Sequence, residues 1–327
     1  MLTFLVSTLG GAPVAARAGP GSASLLFTAP FIPSDAGTNP CFVATGDLNG
    51  DPFPDIVIVN QGANTVSVEF GNGDGTFATR TDYPTDTYPL DLALTDLNRD
   101  GRIDLVVTNW RANTVSVRLG QGGGTFGTRS DYPTGNGPYV LAIADLNGDG
   151  LPDLVVTNAG GYPNYGQTIS VLLGAGDGTV GAKRDYAVGS HPEAVAIGDL
   201  NADGALDLVV ANNSEPGSAS ILPGNGDGTF QPAIGVATGD DATSVAIGDL
   251  NGDGRLDLAV TCHSGLSLLC VMPGHGDLVF EERTDYETGD GPYTVEIGDV
   301  NHDGRPDLLT ANTLASTVSD IAAAVAV

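Results

Sequence analysis

The chain is poor in the residues on which most catalytic and nucleic-acid-binding proteins lean. Of 327 residues only 12 are Lys or Arg against 40 Asp or Glu, a formal net charge of −28. A phosphate backbone has to be met by Lys and Arg, so nucleic acid is not an expected partner, and neither is an anionic membrane surface. The four histidines, His191, His263, His275 and His302, fall at unrelated places. With no Gly-x-Ser-x-Gly, phosphate loop or zinc-type His pair, no catalytic constellation is expected, and the chain reads as a binder rather than an enzyme. Cys41, Cys262 and Cys270 are odd in number, which excludes a disulfide framework. Cys262 and Cys270 are open to two readings, a pair across one hairpin or two buried thiols. No apolar run approaches the roughly 20 residues of a membrane-spanning helix, and residues 321–327 fall far short.

What is abundant is glycine, at 47 residues, and aspartate in a fixed pattern. The stretch Asp145-Leu146-Asn147-Gly148-Asp149-Gly150-Leu151-Pro152-Asp153 puts side-chain oxygens at positions 1, 3, 5 and 9 and glycine at position 6. Calcium takes six to eight oxygens at about 2.3–2.6 Å, and a sharp turn at position 6 lets the carbonyl of position 7 point inward. A helix-loop-helix calcium site would also want a Glu at position 12. Here position 12 is Val156, and the flanks are β-branched and strand-like. The expectation is a calcium loop joining two strands. The nonapeptide recurs from Asp47, Asp96, Asp145, Asp199, Asp249 and Asp299, at a period near 50 residues. A unit that small cannot bury a core alone and must lean on its neighbours.

Each repeat reads as four short strands. The first precedes the loop, as in Val195-Ala196-Ile197-Gly198, and the second follows it, as in Leu208-Val209-Val210. The third is Thr65-Val66-Ser67-Val68 and its equivalents. A Gly-rich turn leads to the fourth, Arg80-Thr81-Asp82-Tyr83 and its equivalents. The carboxylates Asp74, Asp177, Asp227 and Asp277 of those turns are read as hairpin chemistry rather than second metal sites, since the second repeat has Gly123 there. Four antiparallel strands repeated around a ring make an all-β propeller. The last repeat stops in its third strand, and a segment from Phe27 supplies only a fourth. Six blades with the last one closed by the N-terminal strand are expected, a fragment of a seven-bladed ring being the alternative. The division is then residues 1–18 as a secretion signal, though without basic residues after Met1, 19–26 as a leader and 27–327 as one propeller domain.

Asp-Leu-Asn-Gly-Asp-Gly-x-x-Asp-Leu-Val-Val, followed by Thr-Val-Ser-Val and Gly-Asn-Gly-Asp-Gly-Thr-Phe, resembles the FG-GAP/VCBS repeat family of integrin alpha-subunit-like propellers and some propeller lectins. The resemblance implies a calcium loop on one face of each blade and ligands on the other. The matching ligands are Asp96, Asn98, Asp100 and Asp104; Asp145, Asn147, Asp149 and Asp153; Asp199, Asn201, Asp203 and Asp207; Asp249, Asn251, Asp253 and Asp257; Asp299, Asn301, Asp303 and Asp307. The first loop keeps Asp47, Asn49, Asp51 and Asp55 but has Pro52 at position 6. Proline cannot take the left-handed turn, so this site should be weak or empty, with up to six Ca2+ bound in all. Extracellular modules bind calcium near about 10⁻⁴–10⁻³ M, which fits a secreted or cell-surface protein better than cytosol.

On the opposite face the connections differ from repeat to repeat. Trp110, Tyr162 and Tyr165 lie between second and third strands, and Tyr88, Tyr139 and Tyr293 are placed in the links between blades. Trp110, Tyr139, Tyr162, Tyr165 and Tyr293 are the candidate ligand-binding residues, suited to a sugar ring or a protein anchor. Because they do not repeat, one composite site is favoured over several equal ones. Glu296 stands where other repeats have Ala44, Ala93, Ala142, Ala196 and Ala246, and faces a crowded place or a central channel. The functional expectation is a monomeric, calcium-stabilised binding or adhesion module for an extracellular protein or glycan. A carbohydrate-binding lectin, or a polysaccharide hydrolase or lyase at the channel mouth, are the alternatives.

Overall fold

A computed structural model describes residues 36–321 apart from 264, 266 and 316, and the described chain is all β. The first sheet runs β1 (Pro40–Gly46), β2 (Asp55–Asn60), β3 (Thr65–Glu69) and β4 (Thr81–Pro84). The second is β5 (Pro89–Thr95), β6 (Asp104–Asn109), β7 (Thr114–Gly122) and β8 (Thr125–Pro133). The third holds β9 (Pro138–Ala144), β10 (Asp153–Gly161), β11 (Asn164–Leu172) and β12 (Arg184–Ala187). The fourth holds β13 (Pro192–Gly198), β14 (Asp207–Asn212), β15 (Ser218–Leu222) and β16 (Ile234–Ala237). The fifth holds β17 (Ala242–Gly248), β18 (Asp257–Cys262), β19 (Leu268–Met272) and β20 (Thr284–Glu287). The sixth has three strands, β21 (Pro292–Gly298), β22 (Asp307–Asn312) and β23 (Thr317–Ile321). Neighbours are antiparallel and consecutive throughout. The expected secretion signal, the leader and the closing strand from Phe27 lie outside the described residues.

The second strand of each blade is buried on both sides, and its period-two pattern shows why. In β14, Leu208 and Val210 join Val155, Ile169 and Val171 of the third sheet. Val209 and Ala211 join Leu258, Val260 and Met272 of the fifth. The core is thus a series of layers between sheets, and each fully buried Val or Leu contributes about 1.5–3 kcal/mol. Each first strand packs against the next, β1 on β5, β5 on β9, β9 on β13, β13 on β17 and β17 on β21. The hydroxyls of Tyr139 in β9 and Tyr293 in β21 meet at 2.7 Å, so the third and sixth sheets also approach each other at their first strands.

A polar relay ties three strands of a blade together. Asn60 donates to the Ser67 hydroxyl at 2.7 Å, and Ser67 donates to Asp82 at 2.6 Å. Asn109–Ser116–Asp131 and Asn158–Ser170–Asp185 repeat the pattern. In the fifth blade Cys262 and Cys270 occupy the Asn and Ser positions, with their sulfurs 3.1 Å apart as free thiols. The pair therefore replaces a hydrogen-bonded couple at a site where two small polar groups already meet.

The turn after each third strand begins with a glycine that sequence periodicity alone marks only as a turn residue. A Cβ on Gly71, Gly120, Gly174, Gly224 or Gly274 would lie 2.2–2.4 Å from the carbonyl oxygen of loop position 8. Gly235 in β16, by contrast, has nothing within 4 Å of its would-be Cβ. Gly224→Ala is expected to destabilise by about 1–3 kcal/mol, the cost of overpacking a filled site, while Gly235→Ala should be close to neutral. Urea unfolding midpoints of the two variants check this; equal midpoints would contradict the close approach.

Candidate functional site

The six aspartate loops all lie between a first and a second strand, at the same end of the sheets. In the third loop, Asp145 accepts the N–H of Asp149 at 3.1 Å and of Gly150 at 2.7 Å. Asn147 accepts from Asp149 at 2.9 Å, and Asp149 accepts from Leu151 at 2.7 Å. Loops two, four, five and six repeat these bonds. Position 6 is left-handed in these five, from Gly101 at φ +80° to Gly204 at φ +89°. Position 4, which looks free to vary, is left-handed in all six: Gly50, Arg99, Gly148, Ala202, Gly252 and His302. The loop imposes that conformation even on residues with a Cβ.

Position 9 has a second role that its sequence spacing does not reveal. Asp153 is fully buried, accepts the N–H of Leu146 at 2.9 Å and reaches the N–H of Gly174 at 2.8 Å. Asp104, Asp207 and Asp257 do the same with Gly120, Gly224 and Gly274. Asp55 pins Leu48 and Gly71. Asp307 accepts from Val300 at 2.9 Å. Burial raises Asp104, Asp153, Asp207 and Asp257 above the ordinary carboxylate range, and the loop's other carboxylates push them further. Among the described residues, no three Asp, Glu, His or Cys side chains converge as they stand; the loop oxygens face backbone N–H groups. The donor set is nonetheless all hard oxygen, and its carboxylates repel one another. That chemistry fits a hard divalent cation.

The first loop departs as its proline dictates. Pro52 has no N–H, so the position-6 bond is missing, and Asp47 keeps the bond from position 4, Gly50 at 2.7 Å, which the fifth loop makes as well. The Gly-rich turns between third and fourth strands are closed by their own side chains. Asp74 and Asp177 each accept from the backbone N–H and hydroxyl of the Thr two residues on. Where Gly123 replaces the Asp, β7 and β8 extend into a continuous hairpin.

At the opposite end of the first strands lies a cavity of about 490 Å³ lined from the first four sheets. Tyr88, Trp110, Tyr139, Tyr162 and Tyr165 contribute aromatic surface. Trp110 donates its indole N–H to the Gly160 carbonyl at 2.9 Å, and its ring lies 5.3 Å from that of Tyr88. Tyr162 is 87% exposed at the rim, and Tyr165 stacks on His191 at 4.6 Å. Tyr139 and Tyr293 are not in the links between blades, as expected from the sequence. Each is the second residue of a first strand, because the strands begin at Pro138 and Pro292. Tyr293 is buried and is not among the residues lining the pocket; its hydroxyl meets that of Tyr139, which is. Glu296 is open to water in β21, outside the cavity lining, with its carboxyl pushed up by the surrounding protein.

Two carboxylates at the pocket floor escape sequence reasoning. Asp91 in β5 accepts the N–H of Leu92 and, from the next blade, that of Leu141, both at 2.8 Å. Burial pushes its pKa to about 7. Glu193 in β13 is 2% exposed, and burial likewise pushes it to about 7, against a hydrogen bond from the Asn213 side chain and with the Asp241 charge adding to the rise. Its Oε1 lies 3.6 Å from His191 Nε2, and its Oε2 has no hydrogen-bond partner. The available signal was the second and third residues of each first strand, which run Cys41-Phe42, Leu90-Asp91, Tyr139-Val140, Glu193-Ala194, Thr243-Ser244 and Tyr293-Thr294, while the fourth and fifth positions stay small or aliphatic in all but Glu296.

The FG-GAP-like repeat family model matches residues 47–107, 96–156, 147–210 and 199–260. The chain belongs to the FG-GAP-like repeat family. No curated protein matches in sequence. Among solved structures it is similar to BBS1N in complex with ARL6DN, at 14% identity and TM-score 0.57, covering 84% of this chain and 76% of that one. A functionally unknown protein from Desulfotomaculum acetoxidans is similar at 13% identity and TM-score 0.57, covering 81% and 78%. The V. cholerae biofilm matrix protein Bap1 is similar at 18% identity and TM-score 0.50, covering 80% of this chain but 41% of Bap1. These likenesses bear on fold alone. The FG-GAP-like loops and the aromatic pocket therefore have to be read from their own residues.

Asp91 supplies a pH test. Its folded pKa lies above its ordinary value, so the folded chain holds the proton more tightly than the unfolded chain. Its share of stability is present below about pH 4 and is lost as pH rises to about 7. Asp91→Asn gives up one acceptor but removes this slope. The unfolding free energy of the variant relative to the parent should rise steadily from pH 4 to pH 7 and then level off. A constant difference across that range would show Asp91 to be ionised throughout.

Proposed function

We propose that this FG-GAP-like chain is an extracellular, calcium-stabilised β-propeller that binds a ligand in the aromatic pocket opposite its aspartate loops. The observation that carries the reading is the pocket itself. The first four sheets and the connections beside them deliver six Phe, Tyr and Trp rings and two buried carboxylates to one cavity, of a size typical for small-ligand sites. Six sheets whose first strands pack in succession, with Tyr139 meeting Tyr293, support a closed six-bladed ring whose last blade takes its fourth strand from the N-terminal segment. On this reading the protein acts as an interaction or adhesion module, and a glycan is the alternative ligand to a protein side chain.

Calcium would be held by the Asp and Asn side chains of positions 1, 3, 5 and 9 with the carbonyl of position 7. Bound there, it would neutralise the mutual repulsion of three carboxylates per loop. Each loop already shapes itself by hydrogen bonds, so the ion's part is to fix an existing turn. A ligand that binds only the folded state adds about 2.7 kcal/mol at a hundredfold excess over Kd. Removing divalent ions with a chelator should lower the melting temperature, and re-adding calcium should restore it. Counting bound calcium should give five ions, rising to six in Pro52→Gly; a parent count of six would show that the proline does not impair the first site.

For the pocket, an immobilised glycan array probed with the calcium-loaded protein, its Tyr162→Ala and its Trp110→Ala forms is the direct test. Binding by the parent that falls at least tenfold in both variants supports the site. Binding indifferent to both would place the ligand elsewhere.

A further inference from the structure

The pocket described above is more selective in its charge than in its shape. Its lining carries Asp91 and Glu193 and neither Lys nor Arg; the cation nearest to it, Arg111, lies on the rings of Tyr88 and Trp110, so the acids at the floor disfavour an anionic ligand there. The two acids are not equivalent. Both oxygens of Asp91 are taken by the N–H groups of Leu92 and Leu141, which makes it a clasp between adjacent blades. Glu193 is just as deeply buried, yet its Oε2 has no hydrogen-bond partner and the residue lines the cavity. A buried carboxylate oxygen without a donor is costly, and Glu193 belongs to the wall of a cavity large enough to admit a ligand that carries one.

The aromatic rim already accommodates a cation. The Arg111 guanidinium carbon lies 4.4 Å from the centroid of the Tyr88 ring and 5.9 Å from that of Trp110. Ring faces attract positive charge through their quadrupole, most strongly when water is excluded. Beside Glu193 the His191 ring lies 3.6 Å away and is itself met by the Tyr165 ring at 4.6 Å, and Tyr139 adds a further ring to the lining. A neutral polyol could satisfy one Glu193 oxygen by a hydroxyl. An ammonium group does that and compensates the charge as well, in surroundings of low dielectric where the charge-assisted bond is the stronger one.

Resting on the reading of this cavity as the ligand site, we infer that it takes a small organic ammonium ion, a protonated amine on an apolar or aromatic body, whose N–H donates to the Glu193 carboxylate while the aromatic rings of the lining cover its body. A quaternary ammonium lacks the N–H and should bind less well than a primary one. Affinity should also follow the ionisation of Glu193. The groups that face it are His191 beside it, Asp241 and Asn213 from neighbouring connections, and Asp91 across the floor on β5. Burial holds the His191 imidazolium down, so it does not compete as the resident cation near neutrality.

Calorimetric titration of the calcium-loaded protein with 2-phenylethylammonium and with 2-phenylethanol tests this pairing of cation and neutral isostere. At pH 8 the ammonium should bind at least about tenfold more tightly than the alcohol, the return expected of a desolvated charge-assisted contact. That preference should shrink as pH falls from 8 to 6, a readout that needs no variant. In Glu193→Gln it should disappear with the melting temperature retained, while Glu296→Gln, outside the cavity, keeps it. Equal binding of the two probes, or a preference that survives Glu193→Gln, overturns the inference. Failure of both probes to bind also overturns it, and the glycan array then separates the causes. Glycan binding sensitive to Tyr162→Ala leaves the pocket standing as a neutral-sugar site, and its absence removes the pocket reading too.

Discussion

A buried carboxylate with two backbone N–H groups holds each blade to its own loop. Position 9 of every aspartate loop opens the second strand. In five of the six blades one oxygen gathers the N–H of position 2 and the other takes that of the glycine closing the third strand. Three segments far apart in sequence are thereby fixed to one side chain. Hydrogen bonds to an ionised acceptor are about twice as strong as neutral ones, and leaving such a group unpaired in the interior would cost several kcal/mol. The glycines follow from the same constraint, since any Cβ there would strike the carbonyl of position 8.

From that anchor the rest of the blade can be built outward. The loop fixes where the second strand begins, and its period-two burial then sets which residues face each neighbouring sheet. The Asn–Ser–Asp relay locks the far end of the same strand to the third and fourth strands. Sheets held at both ends leave their first strands with little freedom, and the second and third residues of those strands become the places where one blade can differ from another. The pocket exploits this freedom. Tyr139, Glu193 and Asp91 sit at such positions, so function is written in exceptions to the repeat.

This division explains what could be read in the sequence. Features that recur, such as the four-strand order of five described sheets and the loop spacing, stand out by repetition, and Pro52 stands out as the exception among five glycines at position 6. The hairpin role of Asp74 and Asp177 was also legible, since Gly123 could replace them. The double duty of position 9 was hidden, because a metal ligand and a backbone anchor need the same residue at the same spacing. The left-handed position 4 was masked by the variety of residues that occupy it, Arg99, Ala202 and His302 among them. Asp91 and Glu193 were invisible for the opposite reason. Each occurs once, in a strand otherwise like its five equivalents, and only the fold brings them to one floor. Tyr139 and Tyr293 were placed a few residues wrongly because a strand beginning at Pro looks like a link.

The anchor can be interrogated one amide at a time. Native-state hydrogen exchange of the Gly71, Gly120, Gly174, Gly224 and Gly274 N–H groups reads the bonds to Asp55, Asp104, Asp153, Asp207 and Asp257 directly. If these carboxylates hold the blades, the five glycines exchange as slowly as the buried amides of the second strands, although exposed Gly-rich turn residues follow them directly. Exchange at the rate of the neighbouring exposed turn residues would contradict the account.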